Sequence, residues 1–301
     1  MTTRDITLTQ LRYFTAVAEA GTTTGAAQQL TVAQSAISTS IKALETQLGV
    51  QLFVRRHARG LVLTTAGEKL LKDARWMLAE LDEIVDGVRG SVSNPRGTVR
   101  VACFTTLVPF LMPKLLSELG KRYPDLEVDI AETDADGSSG ALRSGGAELA
   151  LTYDFGFGND IDVTRLGAAR PYVLLRASDP RAGSGEISLA ELTDDPFVLL
   201  DIPHSREYFL GLFTKRGLHP NISHRTGNYE TARALVARGL GFSILHQRPS
   251  TSVAYDGGEI AILEISDDID ELSVVLARLH NVRHTVRAQV VEDMLAELMA
   301  S

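Results

Sequence analysis

The 301-residue chain predicts a multidomain α+β protein: an N-terminal winged helix-turn-helix, a long linker helix and a C-terminal two-lobed α/β domain. Residues 22–52 read as two short helices joined by a tight turn, residues 70–88 carry an apolar heptad, and from Thr98 strands alternate with helices. The expected boundaries are 1–65, 66–90, a hinge at 91–97, and 98–301. The last region divides into lobe 1 (about 98–168 and 270–301) and lobe 2 (about 169–269).

The first helix is expected to take Thr9 as N-cap and stop at Gly21, with Leu11, Phe14, Val17 and Ala18 on one face. A second spans about Thr23 to Leu30, where Ala26 and Ala27 let a neighbouring helix approach closely. Thr31-Val32-Ala33 makes the turn. The third runs from Gln34 to about Leu48, ended by Gly49. Ile37, Ile41, Leu44 and Leu48 form its apolar face. The opposite face holds Gln34, Ser35, Ser38, Thr39 and Lys42, and Glu45 is its first acid. Hydroxyl, amide and ammonium groups without carboxylates suit base edges and phosphates in a major groove.

Two apolar-rich runs, Gln51 to Val54 and Leu61 to Leu63, flank a turn containing Arg55, Arg56 and Arg59. They predict a hairpin wing whose arginines hold phosphates or enter a minor groove. Thr64 or Thr65 then caps a helix in which Leu70, Ala74, Met77, Leu81, Ile84 and Val88 form a heptad stripe. A helix of that length with no other local core predicts a helix–helix dimer, which presents two recognition helices to two half-sites. Residues 91–97, SVSNPRG, have little to bury and form the hinge. Beyond them, repeated βαβ units predict largely parallel sheets in two lobes with a ligand cleft between them.

Charge divides along the same lines. Net charge is −8, yet residues 1–65 hold six Lys/Arg against three acids, or +3. Residues 66–96 hold five bases and six acids, and the remainder 19 bases and 29 acids. Positive charge is confined to the segment expected to meet phosphate. No apolar run approaches the length of a membrane span, and the first residues, MTTRDITLTQLRYF, lack a secretory h-region, so a cytoplasmic protein is expected. One cysteine, Cys103, allows no internal disulfide and reads as a core residue.

The ordered string Ala26-Ala27-x-x-Leu30, Val32-Ala33-Gln34-Ser35-Ala36-Ile37-Ser38, Ile41-x-x-Leu44-Glu45-x-x-Leu48-Gly49-Val50-x-Leu52-Phe53 and Leu63-Thr64-x-Ala66-Gly67 resembles the LysR-type transcriptional regulator family. Gly239-Leu240-Gly241-Phe242-Ser243-Ile244-Leu245 resembles that family's effector domain, so the likeness covers nearly the whole chain. The resemblance implies a dimerising linker helix and an effector domain like periplasmic binding proteins. It implies double-stranded promoter DNA with a dyad, a small-molecule effector, RNA polymerase, and a homodimer or homotetramer as partners. No cofactor, metal or membrane is implied. By motif position Gln34, Ser35, Ala36, Ser38 and Thr39 face the groove, with Thr22 and Thr24 beside them, while Lys42, Arg55, Arg56 and Arg59 hold phosphate. Two departures stand out: Thr39 falls where many members carry arginine, and Thr23 where an apolar residue is usual, which predicts looser packing of the second helix.

For the effector, Thr105 and Thr106 precede a helix whose free N–H groups could receive a carboxylate; alternatively either threonine simply caps that helix. Pro203, His204, Ser205 and Arg206 open a helix on the opposite lobe, where Arg206 is either an anion partner or a solvated charge. Tyr229 opens a third helix along the cleft, and Phe155 and Phe157 are lobe packing or ligand contacts. The expected effector is a small organic acid or other anion. An enzyme is the first rival reading, but the chain has no H-E-x-x-H pair, Walker loop, G-x-S-x-G or G-x-G-x-x-G. A secreted solute-binding protein is the second, opposed by the N-terminal module and the missing signal sequence.

Overall fold

The computed structural model describes residues 6–56, 60–88, 95–282 and 284–300. Helix α1 (Leu8–Ala20) is capped by Thr7, not Thr9. The Thr7 hydroxyl accepts the Gln10 N–H, and the Gln10 side chain accepts the Thr7 N–H at 2.8 Å, a reciprocal capping box. Helices α2 (Thr23–Leu30) and α3 (Gln34–Leu48) follow; the Thr22 hydroxyl caps the first, and Gly49, at φ 69°, ends the second. Ala26, Ile37 and Leu44 close with Phe14 and Val17 into one core, while Leu48 is only half-buried.

The wing pairs β1 (Phe53–Arg56) antiparallel with β2 (Gly60–Leu63). It begins at Phe53, two residues later than expected, because Gln51 and Leu52 turn their carbonyls to Thr64 instead of to a ladder partner. Thr64 also caps α4 (Thr65–Val88), its hydroxyl accepting the Gly67 N–H at 3.0 Å. A Cβ on Gly67 would stand 2.3 Å from the Leu52 carbonyl oxygen, so the helix can lie this close to the wing only with glycine there.

The heptad reading of α4 needs correction. Leu71 and Ala74 are buried within the chain, and Leu70 and Leu78 pack on the same winged core. The local core missing from the sequence reading is α1, to which Arg75 is tied through Glu19 at 3.1 Å. Ala74 therefore faces its own domain. Trp76, Met77, Ile84 and Val85 remain exposed on α4, and Leu81 is half-buried. The Val88 side chain and residues 91–94 of the hinge lie outside the described residues.

Lobe 1 begins with β3 (Gly97–Phe104), α5 (Val108–Arg122), β4 (Leu126–Thr133), α6 (Ala135–Arg143), β5 (Leu149–Tyr153) and β6 (Ile161–Ala169). The chain then builds lobe 2 from β7 (Tyr172–Arg176), β8 (Glu186–Ile187), β9 (Pro196–Leu200), α7 (Ser205–Thr214), β10 (Asn221–Thr226), α8 (Tyr229–Ala237), β11 (Ser243–Leu245) and β12 (Ile260–Ile265). It returns to lobe 1 with β13 (Leu272–Leu279) and α9 (Val286–Ala300).

The sheets are mixed, not largely parallel. In lobe 1 the order is β4-β3-β5-β13-β6; β3 runs parallel to both neighbours, but the returning β13 enters antiparallel to β5 and β6. In lobe 2 β7 lies antiparallel between β11 and β12, and β9 pairs parallel with β10. Strands β6 and β10 escaped the sequence reading: both lie at sheet edges, β10 is polar and largely exposed, and β6 buries only its end residues, Ile161 and Ala169. Helix α9 begins at Val286, not Val282, with the Thr285 hydroxyl accepting the Ala288 N–H at 3.2 Å. The glycine pair of the GLGFSIL string has a steric cause. Gly241 sits at φ 144°, and a Cβ there would lie 2.1 Å from the Pro196 carbonyl oxygen.

Candidate nucleic-acid interface and ligand cleft

Gln34, Ser35, Ala36, Ser38, Thr39 and Lys42 all lie exposed on α3, opposite its buried Ile37, Ile41 and Leu44. Thr22 and Thr24 are exposed beside them, although the Thr22 hydroxyl already accepts the Gly25 N–H at 3.0 Å. Thr23 is not a packing fault: its hydroxyl accepts a hydrogen bond from the Gln34 amide at 3.1 Å, which steers Gln34 and leaves its carbonyl oxygen for another partner. The one acid of the helix near this face, Glu45, is turned away. Its carboxylate accepts the N–H groups of Leu52 at 2.8 Å and Phe53 at 3.2 Å, fastening the wing to α3. No carboxylate of α3 therefore opposes phosphate on the exposed face. Arg55 is exposed on β1; Arg59 and the Arg56 side chain lie outside the described residues.

The second region lies where the two lobes meet. Thr106, Tyr153, Ser205, Tyr229, His246 and Gln247 line a hollow of only about 10 Å³, room for one water at most. Hydrogen bonds cross it. Tyr153 Oη meets Thr106 Oγ1 at 3.2 Å and accepts from Gln247 Nε2 at 3.1 Å. The Gln247 carbonyl accepts from Tyr172 Oη at 2.6 Å and from Tyr229 Oη. At the rim His204 Nε2 lies 3.0 Å from Asp136 Oδ1 on the other lobe, and the His204 ring stacks on Phe155. Burial pushes the Tyr153 and Tyr172 hydroxyls up to about 12, so they remain proton donors.

The sequence expectations divide here. Thr106, Ser205 and Tyr229 come together in the hollow; Thr105 is half-buried outside it. Neither threonine caps α5, whose N-cap position is Leu107 with no side-chain bond. Pro203 is exposed, and His204 latches the rim. Arg206 turns to its own lobe, donating to Asp201 at 2.9 Å and to Glu207 at 2.9 Å. Of the two readings of Arg206, anion partner or solvated charge, the structure gives neither: it is neutralised by its own lobe, and among the described residues no cation lines the hollow.

Sequence reasoning missed Tyr153, His246 and Gln247. His246 and Gln247 directly follow the GLGFSIL string, where an apolar strand end gives way to polar residues, and that switch was the available signal. The His246 residue keeps some exposed surface, yet its Nε2 is out of reach of water and has no hydrogen-bond partner. Burial holds its pKa down to about 3, so the ring is neutral. Cys103 lies fully buried on β3, and burial, with Glu132 nearby, raises its thiol well above the ordinary range.

Comparison with known proteins matches this geometry to two family descriptions. Residues 8–68 match the bacterial regulatory helix-turn-helix protein of the lysR family, and residues 93–300 match the LysR substrate binding domain. The chain is 30% identical to the HTH-type transcriptional regulator ClcR of Pseudomonas putida, over 78% of this chain and 81% of that protein. Among solved structures it is similar to HinK, a LysR family transcriptional regulator from Pseudomonas aeruginosa, with 32% identity, a TM-score of 0.66, and 97% and 98% of the two chains covered. It is also similar to a full-length point variant of OxyR from Pseudomonas aeruginosa, with 26% identity, a TM-score of 0.77 and 98% of each chain covered. The described residues contain no helix long and apolar enough to cross a membrane. A helix-turn-helix with an acid-free reading face, joined by one long helix to a two-lobed domain, places the chain in the LysR family of DNA-binding transcriptional regulators, not among enzymes.

Proposed function

We propose that this chain binds a dyad-symmetric promoter site as a dimer or higher oligomer, and that a small molecule seated between the two lobes controls that binding. The observation that carries the DNA reading is the exposed face of α3. Gln34, Ser35, Ser38 and Thr39 offer neutral donors and acceptors, Lys42 a charge, and Glu45 is withdrawn to the wing. Bases are then read by hydroxyl and amide groups, and phosphates are held by Lys42 and the wing. The exposed Met77 and Ile84 of α4 supply the apolar surface for pairing. Gel shifts across the upstream region test this. A specific complex that weakens with rising salt is expected, and its absence refutes the reading. Gln34→Ala should relax base preference. Lys42→Ala should weaken all sequences alike and lower the salt slope by about 1.

The lobe interface favours a neutral effector over the small organic acid expected from sequence. Its lining is aromatic and hydroxylic, Arg206 is held by two carboxylates, and the free polar atom is a neutral imidazole nitrogen. A hydroxyl, amide or ring nitrogen could satisfy His246 Nε2 where a carboxylate would find no countercharge. A thermal-shift screen of matched acids and amides tests it, with Ser205→Trp identifying which shifts arise in the cleft. Cleft shifts from acids alone would defeat the neutral assignment.

A further inference from the structure

A far larger vacant space than the hollow between the lobes lies elsewhere in the described molecule. It lies under the linker helix, where α4 crosses lobe 1. Two hollows of about 350 and 490 Å³ share Arg75, Ala79, Arg100 and Glu148 as walls and form one crevice. That volume falls within the roughly 300–1,000 Å³ of small-molecule sites.

One wall is apolar: Trp76 and Ala79 come from α4, and Leu142, Leu279 and Val282 from lobe 1. The other is basic and incompletely satisfied. Arg100 Nε on β3 is shielded from water, has no hydrogen-bond partner, and its guanidinium makes no ion pair among the described residues. Arg287 of α9 is 8% exposed; its Nε also lacks a hydrogen bond, with the Glu148 carboxylate 3.7 Å away. His284 Nε2 is a third orphan on the same wall. These three atoms are closed to solvent, so what the crevice offers a ligand is the outer end of the Arg100 guanidinium, which has no partner among the described residues.

The neighbouring charges do not supply that partner. Arg75 is taken by Glu19 at 3.1 Å, Arg278 faces Asp162 at 3.6 Å, and Arg96 faces Asp125 at 3.5 Å. Glu148 is shared between Arg287 and the Thr285 hydroxyl, which donates to it at 3.1 Å. Asp73 and Glu80 lie on the α4 side with Lys72, and Asp82 faces Arg12 at 3.6 Å. Of the two arginines shared by both hollows, Arg75 is paired and Arg100 has no carboxylate partner among the described residues.

We propose that this crevice is a second ligand site, and that it takes an organic anion whose apolar body lies against Trp76 and Leu279 while its carboxylate, or a similar oxyanion, meets Arg100. Guanidinium and carboxylate match in shape and charge, and the partly enclosed setting strengthens their hydrogen bonds. One wall moves with the winged domain, since Leu71 and Ala74 are buried in its core, and the other belongs to lobe 1. A bound anion thereby fixes the angle between DNA-binding and regulatory domains.

Trp76 is the sole tryptophan of the chain, so its emission reports this crevice alone. Titration of the full-length protein with 4-nitrobenzoate, whose nitroarene quenches indole on contact, is expected to give saturable quenching. Arg100→Gln should weaken the apparent affinity about tenfold, as loss of a charge-assisted hydrogen bond requires, while Arg100→Lys, which restores the charge without the planar fork, recovers part of it. The uncharged 4-nitrobenzamide should bind at least about tenfold more weakly to the unaltered protein, a comparison that decides the matter even if Arg100→Gln fails to fold. Linear quenching without saturation, equal quenching by acid and amide, or indifference to a folded Arg100→Gln would each overturn the site. So would Trp76 emission that depends on protein concentration but not on nitrobenzoate, which would give the crevice to a second copy of the chain.

Discussion

The cleft between the lobes and the crevice under the linker helix differ in volume, in charge and in the state of their polar atoms. The cleft is closed to about 10 Å³, its lining is uncharged, and its hydroxyls and amides bind one another across the gap. The crevice keeps hollows of about 350 and 490 Å³, is lined by arginines, and leaves Arg100 Nε and Arg287 Nε unbonded. Occupying the first requires opening a network of hydrogen bonds in which His246 Nε2 is left without a partner. Occupying the second needs no such opening and brings a counter-charge to Arg100, which has none among the described residues. Arg206, for which the sequence left open an anion partner or a solvated charge, is neutralised by its own lobe, and the unpaired guanidinium sits beside α4.

The largest expected effect that would sharpen this contrast comes from filling the cleft. Ser205 is 3% exposed, so Ser205→Trp has no space to enter and must prop the lobes apart. Binding of any cleft ligand, measured by calorimetry, should fall about a hundredfold, while nitrobenzoate quenching of the native Trp76, resolved by lifetime, persists. Loss of both together would mean that the two sites are one.

A smaller effect concerns the unpartnered imidazole. With its folded-state pKa lowered to about 3, His246 resists a proton that the unfolded chain accepts below about 6.5. Its contribution is complete above that pH and is lost as pH falls from there toward 3. His246→Gln should therefore flatten the pH dependence of thermal stability, by about 2 kcal/mol between neutrality and pH 5. An unchanged slope would place the ring in water. Smaller still is the rim latch: Asp136→Asn removes a charge from an exposed contact with His204, easing opening, and cleft ligands should bind about twofold more tightly. Arg206→Ala should change cleft binding least, by less than about twofold, because two carboxylates already hold that arginine. A tenfold loss there would restore the anionic effector.

The helix-turn-helix was legible because its signals are local. Gly49 and the spacing of Ile37, Ile41 and Leu44 are readable within one turn or two of helix, and α2 and α3 fall where the sequence puts them. Ala74 was misread because what buries it, α1, is distant in sequence and a heptad pattern cannot say which partner an apolar stripe meets. The cleft was half legible. Thr106, Ser205 and Tyr229 open or precede helices, which sequence marks. Tyr153 and Gln247 meet only because β5 and β11 end at the same height in two different lobes. The neutralisation of Arg206 by Asp201 depends on a loop turning back on itself, which no periodicity encodes. Glu45 was visible as the first acid of its helix, but not that it serves the wing.

That bond from Glu45 to the Leu52 and Phe53 amides constrains how a signal can travel. It welds reading helix and wing into a single block, to which Gly67 presses the start of the linker without a gap. Such a block has no internal joint at which an effector could alter what it reads. In the proposed dimer, control would act on the spacing and tilt of two whole blocks on the DNA, with α4 as the lever arm.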